Sequence, residues 1–141
     1  MTKDVVVSVP HSGTRTLVKH LGIGHNSPRG RWMHFGYDPD EPRIKSGKYH
    51  LHIPIRHPLE VTKSWARRDK NINRLVEAYE SMFSHLDQAH TFHKMEDLPK
   101  LDGYTDHPGQ ETPQWRLDKY EGVILVNVVA PNLEFFQQFY G

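Results

Sequence analysis

The sequence predicts a single α/β domain over residues 1–141, with a mostly parallel sheet of about four to five strands and helices on both faces. Three observations lead there. The run Val5-Val6-Val7-Ser8-Val9 is β-branched and apolar, the pattern of a buried strand. The run Val123-Ile124-Leu125-Val126-Asn127-Val128-Val129 is apolar on both alternating faces, as a parallel strand covered on both sides should be. Between them, apolar residues recur at helical spacing, so strands are separated by helices or long connections.

The first strand stops at Pro10, a short polar loop follows, and Thr16-Leu17-Val18-Lys19-His20-Leu21 then carries the helical pattern. Strand, Gly-containing loop and helix together make an anion site in α/β proteins. The loop N–H groups and the positive helix end converge on one point. His11 and Arg15 add side-chain donors there, and Ser12, Thr14 and Thr16 add hydroxyls. An ordinary βα turn with a Ser/Thr cap would use the same residues.

Residues 22–49 are rich in Gly, Pro, Asn, Asp and Lys. They divide into a turn over 22–28, a short strand within Arg31–Gly36 and a second loop over Tyr37–Pro42. This region is either mobile or the place where an acceptor is held.

The second clear strand is Tyr49–Arg56. Pro54 cannot donate to a ladder, which puts the strand at an edge or the proline at the strand's margin. A helix begins near Pro58 or Leu59, with Glu60 well placed in its first turn, and runs through Arg68. Ile72, Leu75, Val76, Tyr79, Met82, Phe83 and Leu86 then form the strongest amphipathic stripe, which reads as core. A brief strand over Ala89–Lys94 follows. Residues 102–121 are loop-like, with Gly103, Pro108, Gly109 and Pro113. After the strand at 123–129, Pro131 opens a last helix docked by Leu133, Phe136, Phe139 and Tyr140.

Composition excludes several classes. Hydrophobic residues make 36% and charged residues 25% of the chain, a soluble protein with a polar surface. No apolar run approaches a membrane span, and the N-terminus reads as a strand rather than a signal peptide. With no cysteine there is no disulfide framework or thiolate chemistry, and a cytoplasmic location is expected. A net charge of +1 gives no general reason to bind nucleic acid, and Arg67-Arg68-Asp69-Lys70 is too mixed to argue for it locally. Eleven histidines suggest metal, and His50-Leu51-His52 would place two imidazoles on one strand face. No third ligand stands at a recognisable spacing, so no metal is expected.

Three segments together resemble the sulfotransferase family, which uses 3′-phosphoadenosine 5′-phosphosulfate (PAPS) as donor and has a P-loop-like fold. Val9-Pro10-His11-Ser12-Gly13-Thr14-Arg15-Thr16-Leu17 resembles the family's phosphosulfate loop, P-[KR]-S-G-T-T, with His11 at its basic position. Ile55-Arg56-His57-Pro58-Leu59-Glu60-Val61, followed by Ser64, is similar to its 3′-phosphate motif. Lys94-Met95-Glu96-Asp97-Leu98 resembles the Y-E-D-L landmark, with Met95 in place of the tyrosine. The matches cover roughly the first two thirds of the chain.

The resemblance implies sulfuryl transfer from PAPS to a hydroxyl or amine acceptor, with no metal. Residues 12–16 (Ser12, Gly13, Thr14, Arg15, Thr16) would hold the 5′-phosphate by their N–H groups. His11, as imidazolium, would steady charge on the leaving oxygen, and Arg15 would neutralise a non-bridging one. Arg56 and Ser64 would bind the 3′-phosphate, by a forked guanidinium and a hydroxyl.

The resemblance also implies a general base between the first helix and the 3′-phosphate strand, where His34 is favoured ahead of His25, His50, His52, Asp38 and Glu41. Glu96 and Asp97 read as structural, capping a turn or anchoring a loop that carries Arg. Trp32, Trp65 and Trp115 are candidates for stacking on adenine, with core packing the alternative. Expected partners are a nucleotide and a small acceptor, without nucleic acid or membrane, on a monomer or weak homo-oligomer.

Two other functions compete. One is a non-catalytic nucleotide-binding or interaction protein on a degenerate sulfotransferase scaffold, which His11 and the short length favour. The other is a P-loop kinase-like phosphotransferase, against which the absence of G-x-x-x-x-G-K-[ST] counts.

Overall fold

Parallel pairing of strands sets the architecture. The computed structural model describes residues 3–22, 33–36, 41–98 and 112–141. Its strands are β1 (Lys3–Ser8), β2 (Met33–His34), β3 (Tyr49–Ile55) and β4 (His90–Lys94), in the spatial order β2-β1-β3-β4. All pairings are parallel. Val6 lies opposite His52 in the β1–β3 ladder, Ile53 opposite Phe92 in the β3–β4 ladder, and Ser8 opposite His34 in the β1–β2 pair. Among the described residues three strands are of full length and a fourth, β2, has only two residues, at or below the low end of the four to five expected.

The helices are α1 (Thr14–Leu21), α2 (Pro58–Arg67), α3 (Ile72–Ser84), α4 (Gln114–Ile124) and α5 (Leu133–Tyr140). Short 3₁₀ turns occupy Glu41–Ser46 and Met95–Asp97. None of the described helices is long and apolar enough to cross a membrane. Local chemistry explains where the helices start. Pro58 opens α2 at a position whose N–H needs no partner, and the His57 ring accepts from the Leu59 N–H at 3.2 Å. Asn71 caps α3 by accepting from the Asn73 N–H at 3.0 Å.

The two faces of the sheet differ. Val5, Val7, Val9, Leu51, Ile53 and Ile55 point into one buried cluster with α2, α3, α4 and α5. Val6 points the other way and is fully buried, as is Leu17 of α1, both outside that cluster. The remainder of this second face is polar: Asp4, His50, His52, Thr91 and His93 meet across three strands. Helices thus cover both faces, unequally.

Pro54 stands in a central strand, not at a sheet edge. The Leu51 N–H donates to the Ala89 carbonyl on the β4 side at 2.9 Å. Successive residues direct their N–H groups to opposite neighbours, so the proline nitrogen faces β1. The β1 ladder has already ended at the Val6–His52 pair. The proline therefore sits at the margin of that ladder, as the second of the two options required.

The expected strand at 123–129 is helical. α4 starts at Gln114, inside the stretch read as loop, and passes through a π-helical turn at Leu125–Val129 and a 3₁₀ turn at Ala130–Asn132 into α5. Tyr120, Ile124 and Val128 are buried one turn apart, whereas Leu125 and Val126 are exposed. A strand would have buried Ile124, Val126 and Val128 together. Helix packing against α2 overrides the β-preference of this run. In the widened turn Asn127 donates its amide to the Val123 carbonyl, and Asn132 does so to the Val128 carbonyl, both at 2.8 Å.

Candidate anion-binding site

The strand order creates a switch point. From β1 the chain goes to β2 on one side, then crosses to β3 on the other. Open parallel sheets bind ligands at the carboxyl ends of strands flanking such a reversal. The loop after β1 and the turn after β3 both lie there.

The loop closes on itself before α1 begins. The Ser12 N–H donates to the Val9 carbonyl at 3.2 Å, and the Ser12 hydroxyl donates to the same oxygen. His11 and Gly13 flank Ser12 with left-handed φ values of 69° and 108°. Gly13 is the N-cap of α1, and the Leu17 N–H donates to its carbonyl at 3.0 Å. No side chain caps the helix. The Ser/Thr-capped turn is therefore not what the chain builds, and the first-turn N–H groups carry the positive end of the helix dipole uncapped. Helix starts at Thr14, two residues earlier than the periodicity indicates.

The hydroxyls predicted as ligands are engaged locally. Thr14 is buried and shares a hydrogen bond with Ser8 at 2.5 Å, and Ser8 also contacts His34 Nδ1 at 3.3 Å. The Phe35 N–H donates to the Ser8 carbonyl at 2.8 Å. Ser8, which sequence reasoning did not single out, thus joins the end of β1 to both the loop and the favoured base. Arg15 is exposed on α1 and Thr16 is half-buried.

Arg56 closes β3 and reaches the loop directly. Its Nη1 donates to the His11 carbonyl at 3.3 Å, and its Nη2 lies 4.0 Å from Glu60. Ser64 sits half-buried on α2. Trp65, one residue on, is fully buried and donates its indole N–H to the Pro10 carbonyl at 3.0 Å. Its ring meets the His11 ring edge-on at 5.9 Å. Trp65 is a strut under the loop, not a stacking platform; Trp115 is exposed on α4.

The landmark after β4 also meets the loop. Met95 packs against Gly13 so closely that a Cβ on the glycine would lie 2.8 Å from the Met95 methyl. Glu96 accepts from the His57 N–H at 2.9 Å and from the Tyr140 hydroxyl at 2.9 and 3.0 Å. It anchors the turn carrying Arg56 to α5, the loop-anchoring role proposed from the sequence. Burial and the Glu96 hydrogen bond hold the Tyr140 phenol well above its ordinary pKa.

Electrostatics correct the role of His11. Burial drives its pKa down to about 3, with Lys70, Arg68, His34 and Arg56 pushing the same way. The imidazole is neutral near pH 7, not the imidazolium expected. Its Nε2 is buried and has no hydrogen-bond partner among the described residues. As the Nε2–H tautomer, His11 suits an anion as a neutral donor. The cations that add to the effect of burial include Arg68 and Lys70, from the run Arg67-Arg68-Asp69-Lys70.

Other candidates fall elsewhere. His52 shares hydrogen bonds with Asp4 at 3.0 Å and His93 at 2.9 Å, and His50 with Thr91 at 2.7 Å, towards the amino ends of the strands. That ladder places two imidazoles on one face as expected, with ring centres 4.9 Å apart. No group of three or more metal-ligating side chains among the described residues is arranged to hold a metal ion. His25, Trp32 and Asp38 lie outside the described residues, and Glu41 begins a 3₁₀ turn. Compared with known proteins, the chain matches no family model, no curated protein and no solved structure.

Proposed function

We propose that the chain binds PAPS across the β1–β3 switch point and transfers its sulfuryl group to a hydroxyl or amine acceptor. One observation carries the reading. Arg56, at the end of β3, hydrogen-bonds the backbone of the loop that follows β1, which brings the two segments resembling the donor-binding motifs into contact. Three features support a phosphosulfate in kind: an uncapped helix start, a buried imidazole nitrogen with no partner among the described residues, and an arginine. PAPS supplies the activated sulfuryl group; the chain supplies position and charge.

The residues divide the work. First-turn N–H groups of α1 and the His11 Nε2–H hold the 5′ end. Arg56 and Ser64 hold the 3′-phosphate. His34, tied through Ser8 to the loop, collects the acceptor proton. The P-loop-like sulfotransferase architecture is the finer fold assignment that goes with this reading.

A second reading is favoured by the neutral state of His11: nucleotide binding without turnover on the same scaffold. Calorimetry with adenosine 3′,5′-bisphosphate tests the shared premise. We expect micromolar binding that Arg56→Ala abolishes; no heat from the wild-type chain overturns both readings. Turnover across an acceptor panel, lost in His34→Ala with binding retained, separates the enzyme from the binder.

A further inference from the structure

Residues 67–70 read Arg, Arg, Asp, Lys, and the fold sorts their charges. Arg68 is the C-cap of α2, and its N–H donates to the Ser64 carbonyl one turn earlier at 3.3 Å. It therefore continues the flank of α2 that carries Ser64. Asp69 takes a left-handed φ of 52° and lies 3.4 Å from the Arg116 guanidinium of α4. Lys70 lies with its ammonium 5.6 Å from the centre of the Trp65 ring, the same ring whose edge contact with His11 supports the loop.

The acidic residue is drawn off, and both cations stay close enough to the loop for their charges to lower the His11 pKa. Among the described residues neither Arg68 nor Lys70 has a carboxylate partner. The turn is braced from α4. The Tyr120 hydroxyl donates to the Lys70 carbonyl at 2.6 Å, and Arg116 Nη1 donates to the Ala66 carbonyl at 2.9 Å.

We propose that the α2–α3 turn is a second cationic wall of the nucleotide site, with Lys70 at the phosphosulfate end, Arg68 on the Ser64 flank, and Tyr120 and Arg116 holding the turn in place. It rests on the nucleotide reading above. In sulfuryl transfer the bond from sulfur to the 5′-phosphate oxygen breaks and its electron pair stays on that oxygen. A new bond forms from the acceptor oxygen or nitrogen to sulfur, and the acceptor proton passes to the base. Negative charge grows at the 5′-phosphate, where neutral His11 offers a hydrogen bond but no charge. Lys70 supplies the charge.

Calorimetry with PAPS, at several salt concentrations, tests this. Lys70→Met should weaken PAPS about tenfold, equivalent to 1.4 kcal/mol, and flatten the salt dependence. Lys70→Arg should restore most of the loss. Lys63→Met, on the solvent side of α2 beside Glu60, should change nothing. Tyr120→Phe should weaken PAPS severalfold alone yet add nothing to Lys70→Met, because it acts through the lysine. Thermal midpoints of all variants separate lost affinity from lost folding. Binding by the wild type that Lys70→Met leaves intact overturns the inference and spares the nucleotide reading. No binding by the wild type overturns both, and additive losses overturn the positioning role of Tyr120.

Discussion

Gly13 and His11 show how one loop combines backbone strain with an unusual ionisation state. A side chain at position 13 faces both a φ of 108° and the Met95 side chain. Gly13→Ala should cost about 1–3 kcal/mol in urea denaturation, and adding Met95→Ala should recover only the steric part. His11 sets a pH dependence. Its folded pKa of about 3 lies below the ordinary 6.5, so the unfolded chain binds the proton more readily. The stabilisation is complete above pH 6.5 and is lost as pH falls towards 3. His93, lowered by burial and then by His52, His20 and His50, acts in the same direction. The thermal midpoint should fall between pH 7 and pH 4, and less steeply in His11→Asn, which keeps a residue tolerant of the left-handed backbone. An unchanged slope in that variant removes His11 from the account.

The C-terminal helices carry the largest difference between sequence pattern and structure. In a strand, positions 124 and 126 would share a face; in the helix Ile124 is fully buried and Val126 is 69% exposed. Ile124→Ala should cost about 2–5 kcal/mol and Val126→Ala within about 0.5 kcal/mol. Equal, large losses at both positions would argue for the strand instead. The helical period was present in the sequence, since Leu117, Tyr120, Ile124 and Val128 all turn inwards. It was hidden because the β-branched run dominates any short window, and the widened turn at 125–129 shifts the phase. By contrast α2 and α3 were legible almost to the residue. Pro58 marks the start of α2, and the stripe from Ile72 to Leu86 has no competing period, overrunning the end of α3 at Ser84 by two residues.

One continuous core joins the sheet to α2, α3, α4 and α5. An aromatic group formed by Phe83, Phe92, Phe135, Phe136 and Phe139 ties α3, β4 and α5 together. Thermal unfolding followed by far-ultraviolet circular dichroism and by tryptophan fluorescence should therefore give coincident transitions. A separate, earlier loss of helix signal would mean that α4 and α5 form an independent unit. The same packing holds the site. α5 reaches Glu96 through Tyr140, and α4 reaches the α2–α3 turn through Arg116 and Tyr120. The C-terminal helices thus brace the loop and the turns at the carboxyl ends of the strands.

Short-range chemistry was readable from the residues alone: the valine strand, the Gly13 loop, the proline-initiated α2 and the amphipathic α3. Each depends on neighbours within a turn or two of chain, so each leaves a local pattern. Three features arose only when distant segments met. Arg56 found the His11 carbonyl across 45 residues of sequence separation. Asp69 was claimed by Arg116, leaving Arg68 and Lys70 close enough to the loop for their charges to lower the His11 pKa. Burial among those cations made His11 neutral. Charge, partner and exposure belong to the assembled surroundings of a side chain, and no local pattern encodes them.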